Sequence, residues 1–78
     1  MTIANSTFTP SVIDIIKGTS IVFTNNDAMA HTVTSNNFDS GHIQPGKSYT
    51  LDTSKLAPGT YDFHCSIHPS MTGTVIVR

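Results

Sequence analysis

The stretch Tyr61-Asp62-Phe63-His64-Cys65-Ser66-Ile67-His68-Pro69-Ser70-Met71 holds the chain's one cysteine, together with imidazoles and a thioether, close to its C-terminal end. Its first half, entered from Gly59, alternates: Tyr61, Phe63 and Cys65 share one face and Asp62 and His64 the other. That is the period of a β-strand whose last inward position is a sulfur. The second half places His68 and Met71 in the loop that follows. Thiolate and thioether are soft donors suited to Cu(I), whereas imidazole also satisfies Cu(II), so this mixed set suits a copper ion in either oxidation state. A second imidazole would complete it. His31, in Ala28-Met29-Ala30-His31-Thr32-Val33, opens a β-branched stretch and lies far enough upstream to arrive on a neighbouring segment. The expected site has His31, Cys65 and His68 as strong equatorial ligands and Met71 as a long axial one.

Outward from this stretch the chain reads as short strands separated by turns, with no helical stripe of useful length. Ser11 to Ile16 is β-branched and ends at the turn signal Lys17-Gly18. Thr19 to Thr24 alternates, with Ile21 and Phe23 on one face, and Asn25-Asn26-Asp27 breaks it. His31 to Ser35 is expected to be a further short strand. Lys47 to Leu51 alternates through Tyr49 and Leu51, Leu56-Ala57-Pro58-Gly59 is a turn, and Gly73 to Val77 is a closing strand. The sum is an all-β chain, a small Greek-key β-sandwich over residues 1–78 as one domain.

These residues resemble the cupredoxins, the blue copper proteins, and within them the amicyanin and plastocyanin branch. The spacing Cys-x2-His-x2-Met of Cys65, His68 and Met71 is similar to that of amicyanins, whereas plastocyanins have a longer gap before the methionine. Pro58 to Cys65 resembles the strand that delivers the cysteine ligand, Gly73 to Val77 the closing strand, and Phe38-Asp39-Ser40-Gly41 with Pro45-Gly46 a connection of small cupredoxins. The resemblance implies one type 1 copper that carries single electrons between redox partner proteins. It also implies docking around a surface-reaching His68, rimmed by Ile67, Pro69, Met29 and Pro45. Thr32 and Ala30 depart from the asparagine and proline that flank the first histidine in that branch. Even so, the Thr32 N–H is placed to donate to the Cys65 sulfur, and its hydroxyl to bridge to Ser66.

Composition narrows the field. Lys and Arg number 4 against 5 Asp and Glu, with no basic block, so nucleic acid is not expected as a partner. One cysteine excludes an intramolecular disulfide. No run is apolar for long enough to span a membrane, and the first residues lack the form of a signal peptide. If the usual export of the resembled family applies, the protein works in the periplasm or elsewhere outside the cytoplasm, its leader or anchor absent from this sequence. The protein is expected to be a monomer. At 78 residues a lone core is thin, and an ion that binds only the folded form would stabilise it.

Other readings compete. Taken alone, Cys65 beside His68 is better explained as a small core hydrophobe next to a structural histidine. Met71 at that spacing, the aromatic strand before it and His31 upstream reverse the balance. His42 and His64 read as surface residues, His64 facing away from Cys65, and Met29 as a rim residue. A nucleophilic enzyme using Cys65 with His68 as base lacks an evident third residue to orient the base. With four protein ligands no coordination position stays open for a substrate, which argues against an enzyme at this centre. A copper carrier or chaperone, or the copper domain of a larger oxidoreductase, remains as the alternative.

Overall fold

A computed structural model describes all of residues 1–78. Seven strands form two sheets: β1 (Thr2–Ala4), β2 (Thr7–Thr9), β3 (Val12–Ile15), β4 (Ser20–Asn25), β5 (Ser48–Asp52), β6 (Gly59–His64) and β7 (Thr72–Val77). One sheet runs β2-β1-β4-β5 and the other β3-β7-β6. The consecutive pairs β1–β2 and β6–β7 are antiparallel, whereas β1 lies parallel to β4 and β3 parallel to β7, so the chain also crosses between the sheets. The all-β sandwich expected from the sequence is the architecture found. A single 3-10 turn, Thr53–Lys55, is the one helical piece, capped by the Asp52 side chain on the Ser54 N–H.

The alternating strands bury the side chains their period assigned. Ile21 and Phe23 of β4, Leu51 of β5 and Phe63 of β6 are buried, while Val22 of β4 is exposed. At the centre Phe63 meets Phe8 edge-on at 4.8 Å and Phe23 at 5.6 Å, an arrangement aromatic quadrupoles favour. Cys65 lies two positions beyond Phe63, on the same inward face, and is fully buried. The thiol therefore belongs to the same buried cluster as the aromatic rings.

Three segments differ from the sequence reading. Residues 2–9 form a hairpin whose three-residue strands are too short to show a period. Its turn is made by Asn5 and Ser6, both at positive φ (51° and 54°), the backbone of a tight two-residue hairpin turn. Asn25 does not break β4 but ends it inside the core, at 0% exposure. The segment His31 to Ser35 is not a strand. It makes only isolated bridges, His31 to Ile43 and Thr34 to both Asp39 and His64. The reason is where its N–H groups go: that of Thr32 donates to a sulfur and that of Val33 to the Ser40 hydroxyl. With those donors taken, no continuous ladder can form.

Candidate metal centre

Cys65 is the first residue after β6, and the six residues from Ser66 to Met71 return the chain to the start of β7. Two backbone bonds close this loop: the Cys65 N–H donates to the Met71 carbonyl at 3.0 Å, and the Met71 N–H to the His68 carbonyl at 2.9 Å. The loop is thus a tight ring carrying Cys65, His68 and Met71. His31 enters from the segment after β4, held by a pair of backbone bonds with Ile43. One ring nitrogen of His31, one of His68 and the Cys65 Sγ lie within 4.8 Å of one another. The two imidazoles face each other with centroids 5.3 Å apart.

Burial divides the donors. His31 and Cys65 have 0% exposure, Met71 is buried, and His68 is half-buried. The His68 Nδ1 is shielded from solvent and has no hydrogen-bond partner. A buried ring nitrogen left unpaired is costly unless something outside the polypeptide satisfies it, and a cation is what an imidazole lone pair beside a thiolate would accept. The Nδ1 of His31 lies 3.6 Å from Cys65 Sγ. Structure and donor chemistry agree that the cluster suits a soft or borderline metal ion.

Electrostatics favour the metal-ready state of the sulfur. Burial pushes the Cys65 thiol up, but the Thr32 N–H at 3.4 Å, the His31 ring and the N–H groups of His68 and Ile67 together outweigh it and bring it from 9.0 to about 6. Thr32 serves the expected double purpose. Its hydroxyl accepts the Ser66 N–H at 2.7 Å and lies 3.1 Å from the Ser66 hydroxyl.

Sequence reasoning missed Asp27. Its Oδ2 lies 2.9 Å from His31 Nε2; burial works to lower the ring's pKa, but the hydrogen bonds and charges of Asp27 and Cys65 outweigh it and raise it above the usual 6.5. Asp27 is also the orienting group that the Cys-His enzyme reading lacked, although it serves His31 and not His68. The resulting Cys65–His31–Asp27 series is nonetheless sealed: both reacting groups are fully buried, and the two surface cavities are lined by other residues. A nucleophile without access to a substrate has no acyl or alkyl group to attack. The only sequence signal for Asp27 was an acid four residues before a candidate ligand, which is too common to single out. His64 and His42 are exposed and stand outside the cluster, and Met29 is exposed at 50%.

The model of the cupredoxin-like domain family matches residues 1–77. The chain belongs to the cupredoxin-like family. Among curated proteins it is similar to amicyanin-alpha of Methylorubrum extorquens, 31% identical over 97% of this chain and 68% of the relative. An oxidised amicyanin variant superposes with a TM-score of 0.89 at 26% identity, over 99% of this chain and 78% of that one. Amicyanins thus stand among the similar proteins both by sequence and by structure. The copper-containing nitrite reductase of Thermus scotoductus matches at 28% identity and a TM-score of 0.87, over 99% of this chain but 22% of the reductase. This cupredoxin fold therefore occurs both as a small protein and inside an enzyme.

Proposed function

We propose that this cupredoxin carries single electrons between redox proteins through one type 1 copper ion held by His31, Cys65, His68 and Met71, and that it is not itself an enzyme. The observation that carries this reading is the unpaired, buried Nδ1 of His68, a residue that brings a ring nitrogen within 4.8 Å of a stabilised thiolate and of a second imidazole. Copper, when bound, would supply the Cu(II)/Cu(I) couple. The polypeptide supplies what surrounds that couple. Cys65 is anchored to the aromatic core, His31 is held from behind by Asp27, and the ring-closed loop fixes His68 and the Met71 backbone. Donors that are held in place need little rearrangement when the charge at their centre changes.

His68 is the donor nearest solvent, and exposed apolar side chains stand beside the donor segments, Ile67 at 42% and Met29 at 50%. Such a rim suits brief docking of a redox partner over His68. Work outside the cytoplasm is part of the same reading and rests on family resemblance. No helix is long and apolar enough to cross a membrane.

The test is to add Cu(II) to apo protein and record the visible spectrum, then add a reductant. An intense thiolate-to-copper band that saturates at one equivalent and bleaches reversibly is the expected result. A colourless protein that takes up only Cu(I) and passes it rapidly to a chelator would instead make it a copper carrier.

A further inference from the structure

The Asp27 carboxylate is bonded on both oxygens. Oδ2 accepts the Ser6 N–H at 2.9 Å and also lies 2.9 Å from His31 Nε2, while Oδ1 accepts the Ala28 N–H at 2.8 Å. Its own N–H donates to Asn25 Oδ1 at 2.9 Å. The Asn25 amide in turn donates to the Met29 and Ile43 carbonyls at 2.9 and 2.8 Å. Because Asn25 is fully buried at the end of β4, the carboxylate is tied to the core from one side and to the Asn5–Ser6 hairpin turn from the other. An ionised carboxylate only accepts, so the nitrogen facing it, Nε2, must carry the proton. In the neutral ring that leaves Nδ1, on the Cys65 side, with its lone pair free for an ion.

From this geometry, and resting on the copper reading above, we propose that Asp27 is a positioning residue for the metal. It fixes the orientation and tautomer of His31, and it places an anionic charge one imidazole away from the ion. The N-terminal hairpin belongs to the same device, because the Ser6 N–H shares the oxygen that holds the ring. A carboxylate behind a metal-bound imidazole makes the ring a stronger donor and favours the more highly charged ion. Asp27 therefore holds Cu(II) more strongly than Cu(I) and sets the reduction potential lower than the four ligands alone would.

The experiment compares copper-loaded wild-type protein with Asp27→Ala and Asp27→Asn. Asp27→Ala is expected to weaken Cu(II) binding by about 10- to 100-fold. It should also shift the Cu(II)-to-Cu(I) affinity ratio by about tenfold, which for one electron raises the potential by about 59 mV. Asp27→Asn retains a neutral acceptor and should fall between the two. In the diamagnetic Cu(I) form, the His31 Nε2–H should exchange slowly with water in the wild type and faster in Asp27→Ala. If Asp27 merely capped the turn, Asp27→Ala would lower the melting temperature and leave both potential and ring-proton exchange at wild-type values, which overturns the proposal. Should Asp27→Ala not fold, Asp27→Asn decides by the same readouts. Wild-type protein that binds no copper overturns the copper reading as well, whereas a copper-loaded wild type with indifferent Asp27 variants overturns this proposal alone.

Discussion

The Thr32 hydroxyl accepts the backbone N–H of Ser66 at 2.7 Å, so the residue after His31 and the residue after Cys65 are bonded directly to each other. This joins the two segments that carry the donors, and it does so with a side chain that is 2% exposed. Thr32→Val keeps the shape and removes the oxygen, leaving a partly buried N–H without a partner. Unfolding of the apo protein by urea should show a loss of about 1–3 kcal/mol. Thr32→Ser should lose less. An unchanged midpoint in Thr32→Val would mean that water satisfies Ser66 in its place.

The two histidines should respond differently to removal. His68 is half-buried and borders solvent, whereas His31 is fully enclosed and backed by Asp27. In His68→Gly, free imidazole added to the copper-loaded protein should restore the visible band, because the gap opens outward. In His31→Gly it should not, or only far more weakly. Titrating both variants with imidazole while recording the spectrum checks this, and equal rescue would contradict the asymmetry of burial.

Gly73 is required by Phe63. A Cβ at Gly73 would run into Cζ of the Phe63 ring and stand 2.8 Å from its Cε1. That ring cannot yield cheaply, since Phe8 and Phe23 meet it edge-on. Gly73→Ala is an overpacking substitution, expected to destabilise the apo protein by about 1–3 kcal/mol. Because Phe63 lies in the strand that leads directly to Cys65, near-UV circular dichroism should change with it. A variant as stable as wild type, with the aromatic signal intact, would show that the ring has room to move.

Acid should weaken the apo fold in a particular window. Asp14 is held below its usual 3.8 by the hydrogen bond and charge of Arg78, and Asp52 below 3.8 by the Ser54 N–H. A carboxyl depressed on folding stabilises the protein above its unfolded pKa and loses that contribution as pH falls through the folded value. Stability should therefore decline below pH 3.8, and Asp14→Asn should flatten part of that decline. Both partners of the Asp14–Arg78 pair are solvent-exposed, so the part is small. Urea unfolding from about pH 5 to about pH 2.5 measures it. The same acid slope in wild type and Asp14→Asn would remove Asp14 from the account.

Much of this was legible in residue order. Alternation named the buried faces of β4, β5 and β6, because a period of two is written in the sequence wherever one face of a strand meets a core. The spacing of Cys65, His68 and Met71 is equally local, as a short loop can close in few ways. The chain also announced His31 and the Thr32 contacts, through their position after a turn and their likeness to a known pattern. Contacts that depend on distant segments meeting were not written there. The short N-terminal hairpin carries no period, and nothing in Asn25-Asn26-Asp27 tells a loop from a buried brace.

The sequence by itself determined the strand that leads to Cys65 and the short spacing from Cys65 to His68 and Met71, because both depend on neighbours a few residues apart. Only the tertiary structure decided which side of His31 faces the sulfur. The Asp27–His31 contact spans four residues, but the same carboxylate oxygen is bonded by the N–H of Ser6, 21 residues away, and a hydrogen bond between distant segments exists only once the chain has folded.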